Sequence, residues 1–128
     1  MSLLWTLETR KKEMKSASDP RHLKRIKAVK SLFSWSFSNK LLEDQLAERV
    51  IKHKEKIDSL IEAAAPEWPI KQINRIDLAI LRLATFELKI EPEEPPKVII
   101  DEAIEIAKSF GSEKSSAFIN GALGALIK

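Results

Sequence analysis

The sequence predicts an all-α protein that folds as a single domain, residues 1–128. Apolar residues recur at three- and four-residue spacing in successive segments, which is the period of a helix with one buried face. No segment combines the two-residue alternation of a strand with turn residues. The chain has only three glycines, and its prolines stand between the periodic segments. At 128 residues it can build one hydrophobic core but not two large domains.

An extra segment, residues 1–18, precedes the first clear helix start. Residues 3–15 have the pattern of one short amphipathic helix, with Leu3, Leu7 and Met14 opposite Arg10, Lys11 and Lys15. Asp19 and Pro20 then form a cap and a first turn, which predicts a helix to about residue 37. Its expected buried residues are Leu23, Ile26, Val29, Leu32 and Phe33, and its expected exposed residues are Arg21, Lys24, Arg25, Lys27 and Lys30.

The middle of the chain predicts two further helices. One long helix is expected from about residue 41 to residue 64, where Pro66 prevents its continuation. A strongly apolar helix follows from about residue 73 to residue 88, and its composition favours a central position. The segment from Glu91 to Pro96 reads EPEEPP and predicts a rigid acidic loop.

Two helices close the chain. The first is expected from about Lys97 to Gly111, and Ser112 is the expected N-cap of the second. Phe118 has helical spacing from Ala122 and Ala125, which is typical of a core residue, but an exposed ring here could also stack on an unpaired base. Both interpretations of Phe118 stay open at this point.

Composition excludes several classes of protein. There is no cysteine, which excludes disulfides and thiolate metal sites and fits a cytoplasmic protein. The N-terminus lacks a signal-peptide pattern, and no apolar run is long enough to span a membrane. Residues 1–40 hold ten Lys and Arg against three Asp and Glu, so the first third predicts affinity for a phosphate-rich partner, although a solvated basic face is an alternative.

The motifs needed for catalysis are missing from the sequence. The two histidines, His22 and His53, have no second ligand at the spacing of a helical metal site except Asp19, which is expected to cap a helix. No glycine-rich phosphate loop is present. The sequence therefore predicts a protein that is not an enzyme and has no cofactor or metal.

Four blocks resemble, in order, the bacterial transcription antitermination factor NusB family. The blocks are RHLKRIKAVKSLFSW, the segment from Trp68 to Leu88 that contains INRIDLAILRLATFEL, then PPKVIIDEAIEIAKSFG, and finally SEKSSAFINGAL. The matched positions are Arg25, Ala28, Leu32 and Phe33 in the first block, Asp77, Ile80, Leu81, Arg82, Ala84, Phe86 and Glu87 in the second, and Phe118, Asn120 and Gly121 in the last.

The resemblance implies a fold of two small helical bundles with about six helices. It also implies binding of boxA-type RNA from ribosomal RNA transcripts, together with the small-subunit ribosomal protein NusE, in a transcription elongation complex. The implied RNA-binding residues are Arg21, Lys24, Arg25, Lys27, Lys114 and Phe118, and the implied contact with the protein partner is Asp77. Phe118 would stack on a base.

The chain also departs from the family pattern. Lys114 stands where a carboxylate is common, and a cation cannot accept a hydrogen bond from a base. Residues 35–44 are too short for a helix that family members usually have, and we hypothesise that residues 3–15 pack into the vacated groove; a mobile basic arm is the rival hypothesis. Two other functions remain: an RNA-binding domain akin to that of ribosomal RNA cytosine methyltransferases, and a helical protein-interaction module without RNA binding.

Overall fold

The structure, a computed structural model, describes residues 19–40 and 42–128. These residues form six α-helices and no strand, which confirms the all-α prediction. The helices are α1 (Pro20–Ser38), α2 (Gln45–Lys52), α3 (Lys54–Ala64), α4 (Arg75–Thr85), α5 (Pro96–Phe110) and α6 (Ser115–Leu126). A 3-10 turn (Ile70–Gln72) precedes α4, and a π-helical turn (Phe86–Ile90) follows it. The predicted helix at residues 3–15 lies outside the described residues.

Helix α4 is the centre of the molecule. It packs against all five other helices, and every residue from Asp77 to Thr85 is buried. Helices α1 and α2 pack together on one part of α4, whereas α3, α5 and α6 pack together on another. The two bundles therefore share α4 as a common element. No helix in residues 19–40 and 42–128 is long and apolar enough to cross a membrane.

Helix α1 begins where its cap predicts and buries Val29 and Leu32 as expected, but the rest of its buried set differs from the prediction. The Asp19 carboxylate accepts a hydrogen bond from the Arg21 backbone N–H at 2.9 Å, and this bond is the main reason that the pKa of Asp19 lies below its usual value. Leu23 was expected in the core, but it is 49% exposed. His22 and Arg25 are buried instead, and they pair with the carboxylates of Glu102 and Glu87, respectively.

The expected long helix over residues 41–64 is wrong, since the chain forms two helices that meet at His53. Asp44 caps α2 by accepting from the Ala47 N–H, so that helix begins at Gln45. At the junction the His53 backbone N–H bonds to Val50, and its Nδ1 lies 3.0 Å from the carbonyl oxygen of Arg49. The imidazole thus lies within hydrogen-bond distance of a helical carbonyl at the point where α2 ends and α3 begins.

The junction between α5 and α6 also differs from the sequence prediction. Ser112 does not cap α6; its backbone N–H donates to the hydroxyl of Ser115 at 2.9 Å. Gly111 ends α5 as predicted, and it leaves space for this turn. A Cβ at Gly111 would stand 2.5 Å from the Ser115 hydroxyl oxygen and 2.8 Å from the Ala107 carbonyl oxygen. The turn is therefore closed to any larger residue without movement of the backbone.

We expect Gly111→Ala to destabilise the protein by about 1–3 kcal/mol, the usual cost of overpacking a closed site. The matched control is Gly124→Ala in α6, where an added Cβ meets nothing within 4 Å. Because alanine favours a helix over glycine by about 0.5–1 kcal/mol, the control should be neutral or stabilising. Thermal unfolding followed by circular dichroism measures both. Equal melting temperatures for the two variants would contradict the steric explanation.

Candidate nucleic-acid interface

Two aromatic rings form the wall of an open pocket at the N-terminal end of α4. The rings of Trp68 and Phe118 meet edge to face, with 5.9 Å between their centroids. Trp68 is 49% exposed, and Phe118 is half-buried against the core. Phe118 is therefore neither sealed inside nor free on the surface, which combines the two interpretations that its spacing left open.

Local structure fixes both rings. Trp68 lies in the turn after α3, where its backbone N–H donates to the Ala65 carbonyl at 3.0 Å and the following proline restricts the backbone. Phe118 is in the first turn of α6, where its N–H donates to the Lys114 carbonyl. Trp68 was not among the predicted RNA-binding residues. Its position between Pro66 and Pro69, away from any helical apolar stripe, was the available signal.

A buried carboxylate borders the same pocket. Asp77 is only 7% exposed, and its Oδ1 atom has no hydrogen-bond partner in the described part of the chain. It lies in the first turn of α4, where the helix dipole favours a negative charge. The cavity between Asp77, Trp68 and Phe118 has a volume of about 330 Å³, and exposed Lys114 is also on its wall. The pocket thus combines flat rings, a cation and a buried carboxylate whose unpartnered oxygen is closed to solvent.

Arg25, an expected RNA contact on an exposed face, is instead buried in an ion-pair cluster. It is 6% exposed, and its Nε and Nη2 atoms donate to Glu87 at 3.0 to 3.1 Å and to Glu94 at 3.1 Å. Burial lowers the pKa of Arg25, but the hydrogen bonds and charges of Glu87 and Glu94 raise it more, so that the net shift is upward. Next to it, His22 Nδ1 lies 2.6 Å from a carboxylate oxygen of Glu102.

The other predicted cations of α1 are exposed but stand near acidic residues. Arg21 bonds to Glu94 at 3.1 Å, and it lines a cleft with Lys24, Glu91 and Glu93. Lys24 and Lys27 have no carboxylate partner among the residues that the structure describes. This end of α1 is therefore a surface of both charges rather than a uniformly cationic ridge.

The predicted basic helix and the aromatic ring do not form one patch. Helix α1 runs antiparallel to α4, since Arg25 contacts Glu87 near one end and Arg75 contacts Ser36 at the other. Asp77 and Glu87 are ten residues apart, which corresponds to roughly 15 Å along a helix. Besides Lys114 on the pocket wall, the cations near the aromatic pocket are Lys71 and Arg75, which were not among the predicted RNA-binding residues.

The comparisons with known proteins agree with this architecture. The model of the NusB family matches residues 38–128, which contain the second, third and fourth blocks of the resemblance but not the first. The chain belongs to the NusB family. The transcription antitermination protein NusB of Chloroflexus aggregans is 49% identical over 78 residues, which cover 59% of this chain and 52% of the relative. The chain thus spans about half the length of the curated relatives it matches.

Solved NusB structures extend the likeness. NusB from T. maritima superposes with a TM-score of 0.78 at 32% identity, covering 84% of this chain and 90% of that one. A chain from the crystal structure of the antitermination factors NusB and NusE with double-stranded RNA superposes with a TM-score of 0.70, covering 84% of this chain and 97% of that one. At 24% identity, this second match shows the fold alone.

Proposed function

We propose that the protein is a transcription antitermination factor that binds boxA-type RNA of ribosomal RNA transcripts together with NusE. Membership of the NusB family supports this, as does the crystal structure of NusB and NusE with RNA, in which a chain has the same fold. On this proposal the protein acts in the cytoplasm by binding, with no catalytic step and no cofactor. The observation that carries the proposal is the open aromatic pocket with its unpartnered carboxylate.

The pocket has the chemistry to hold one unpaired base. RNA-binding proteins read single strands by stacking bases on aromatic rings and by hydrogen bonds to the base edges. Here Phe118 and Trp68 supply the rings. Asp77 lines the same cavity, and because its unpartnered Oδ1 atom is closed to solvent, a base N–H would reach that atom only with a small movement of the pocket wall. Since carboxylates accept but do not donate, Asp77 favours bases that present donors, such as guanine. Lys114 at the wall would neutralise a phosphate.

We therefore propose that Asp77 contacts the RNA rather than the protein partner, which the family resemblance had implied. A carboxylate that is 7% exposed offers little area to a folded partner, whereas a base can enter the cavity beside it. For NusE we propose the cleft at the other end of α4, which is lined by Arg21, Lys24, Glu91 and Glu93. Alternating charges of both signs suit a protein surface better than RNA, because carboxylates repel phosphates.

Fluorescence anisotropy with a labelled boxA-type RNA tests this function. The wild-type protein is expected to bind the RNA, to bind it more tightly when NusE is present, and to prefer it over a scrambled sequence of equal composition. An equal affinity for the two RNAs, or no binding with NusE present, would contradict the proposal. It would then favour a helical interaction module without RNA binding.

A further inference from the structure

A second, cationic groove lies next to the aromatic pocket. It has a volume of about 620 Å³ and is lined by the C-terminal end of α1, the start of α3 and the turn that leads into α4. Its cations are Lys54, Lys71, Arg75 and Arg82. We call this surface the basic groove. It is separate from the cluster around Arg25, which lies at the other end of α4.

The basic groove carries a net positive charge. Asp58 pairs with Arg82 at 3.0 Å and with Lys54 at 3.2 Å, so that one carboxylate serves two of the four cations. Lys71 and Arg75 have no carboxylate partner in residues 19–40 and 42–128. Of the described residues that line the groove, none is acidic. It therefore attracts a polyanion, in contrast to the mixed cleft near Arg21.

A second aromatic surface stands at the edge of this groove. The guanidinium of Arg75 lies over the ring of Phe37, 4.2 Å from its centroid, and Nη1 donates to the Ser36 carbonyl at 2.7 Å. Phe37 is nevertheless 61% exposed, and it contacts Phe33 edge to face at 4.9 Å. A fixed guanidinium plane beside an exposed ring is a surface on which unpaired bases stack.

The groove and the pocket adjoin each other. Ile73 lines both, and Lys71 and Gln72, adjacent in the turn before α4, line one each. If one base of an RNA strand occupies the pocket, the phosphates one or two nucleotides along the strand would therefore lie near the cations of the groove. The combination of stacking rings and a cationic track is the usual arrangement for single-stranded nucleic acid.

We propose that the basic groove binds the phosphate backbone of single-stranded RNA that continues from the aromatic pocket, with Phe37 and Arg75 as a second stacking platform. This inference rests on the proposed RNA-binding function but adds a binding surface to it. On this proposal the basic groove, rather than the N-terminal half of α1, makes the main cationic contact with the RNA. Lys24 and Lys27 are at most distant contacts of a longer strand.

The test compares a short RNA of about four nucleotides with one of about twelve, two lengths within the range of site sizes of single-strand binders. The variants are Lys71→Ala, Arg75→Ala and their combination, and the control is Lys56→Ala on the exposed side of α3. The double variant should weaken binding of the longer RNA roughly tenfold. The slope of the logarithm of the binding constant against the logarithm of the salt concentration should fall in magnitude by about 0.7 for each phosphate contact that is lost. The short RNA should bind almost unchanged.

Two outcomes would contradict this inference, and they can be told apart. In the first outcome, Phe118→Ala weakens binding of both RNAs, but the double variant binds the longer RNA with wild-type affinity and wild-type salt dependence. The basic groove then does not bind the RNA backbone, and the proposed function stands. If the wild-type protein binds neither RNA in the presence of NusE, the proposed function fails and this inference fails with it. Lys71 is exposed and outside any α-helix, so Lys71→Ala keeps the test valid if Arg75→Ala loosens the contact with Ser36.

Discussion

Phe118→Ala is expected to weaken binding of boxA-type RNA by roughly 5- to 150-fold, the range that corresponds to the loss of one base–aromatic stack. The ring forms one wall of the pocket beside Trp68, so that removing it also removes the contact that holds the indole. Anisotropy titrations at fixed salt measure the effect. Because the loss concerns stacking rather than charge, the salt dependence should stay close to that of the wild-type protein.

Phe118 also packs against the core, which requires a second variant and a control. Phe118→Leu keeps most of the apolar contact but has no aromatic face, and we expect it to lose most of the RNA affinity with a smaller loss of melting temperature. The control is Phe110→Ala, which removes an exposed ring at the end of α5. Unchanged RNA affinity in both Phe118 variants would show that the pocket does not hold a base.

Arg25→Ala is expected to have the largest effect on stability, about 3 kcal/mol, which is the lower end of the cost of breaking a buried ion pair. The substitution leaves Glu87 and Glu94 as neighbouring carboxylates without their shared cation. Both glutamates keep some contact with solvent, which limits the penalty. For a domain of this size the melting temperature should fall by roughly 8–15 °C.

The controls for Arg25 separate charge from geometry. Lys27→Ala removes an exposed cation two residues away in α1 and should change the free energy of unfolding by less than about 0.5 kcal/mol. Arg25→Lys keeps the charge but cannot bridge two carboxylates with a planar fork, so we expect an intermediate loss. Chemical denaturation at neutral pH measures all three. If Arg25→Ala unfolds like the wild-type protein, the cluster contributes nothing to the fold.

These two variants are expected to affect different properties, stability for Arg25 and RNA binding for Phe118. Arg25 and Phe118 were expected to cooperate at one RNA surface, but they lie near opposite ends of α4. Arg25→Ala should therefore act on RNA binding chiefly through stability or through the proposed NusE cleft. Phe118→Ala should act on RNA directly. Measuring both variants by denaturation and by anisotropy distinguishes the two roles.

Local patterns predicted most helices because helix boundaries depend on nearby residues. Pro20 fixes the backbone at the start of α1, Gly111 is a residue that favours the end of a helix, and α1 and α5 begin and end within a residue or two of the expected positions. The sequence did not predict the break between α2 and α3 at His53, because this break depends on contacts of one side chain. The His53 imidazole lies against the carbonyl of Arg49, four residues earlier, and its ring centroid is 5.8 Å from that of Phe86. No periodicity reports such a contact.

By itself the sequence determined an all-helical NusB fold, its central apolar helix and the presence of Phe118 in the last helix. Only the tertiary structure decided which cations are free. Arg25 is neutralised by Glu87, 62 residues away, while Lys71 and Arg75 face an open groove. The physical reason is that helical periodicity shows which residues share a face, but an ion pair depends on the charge that another helix places opposite that face.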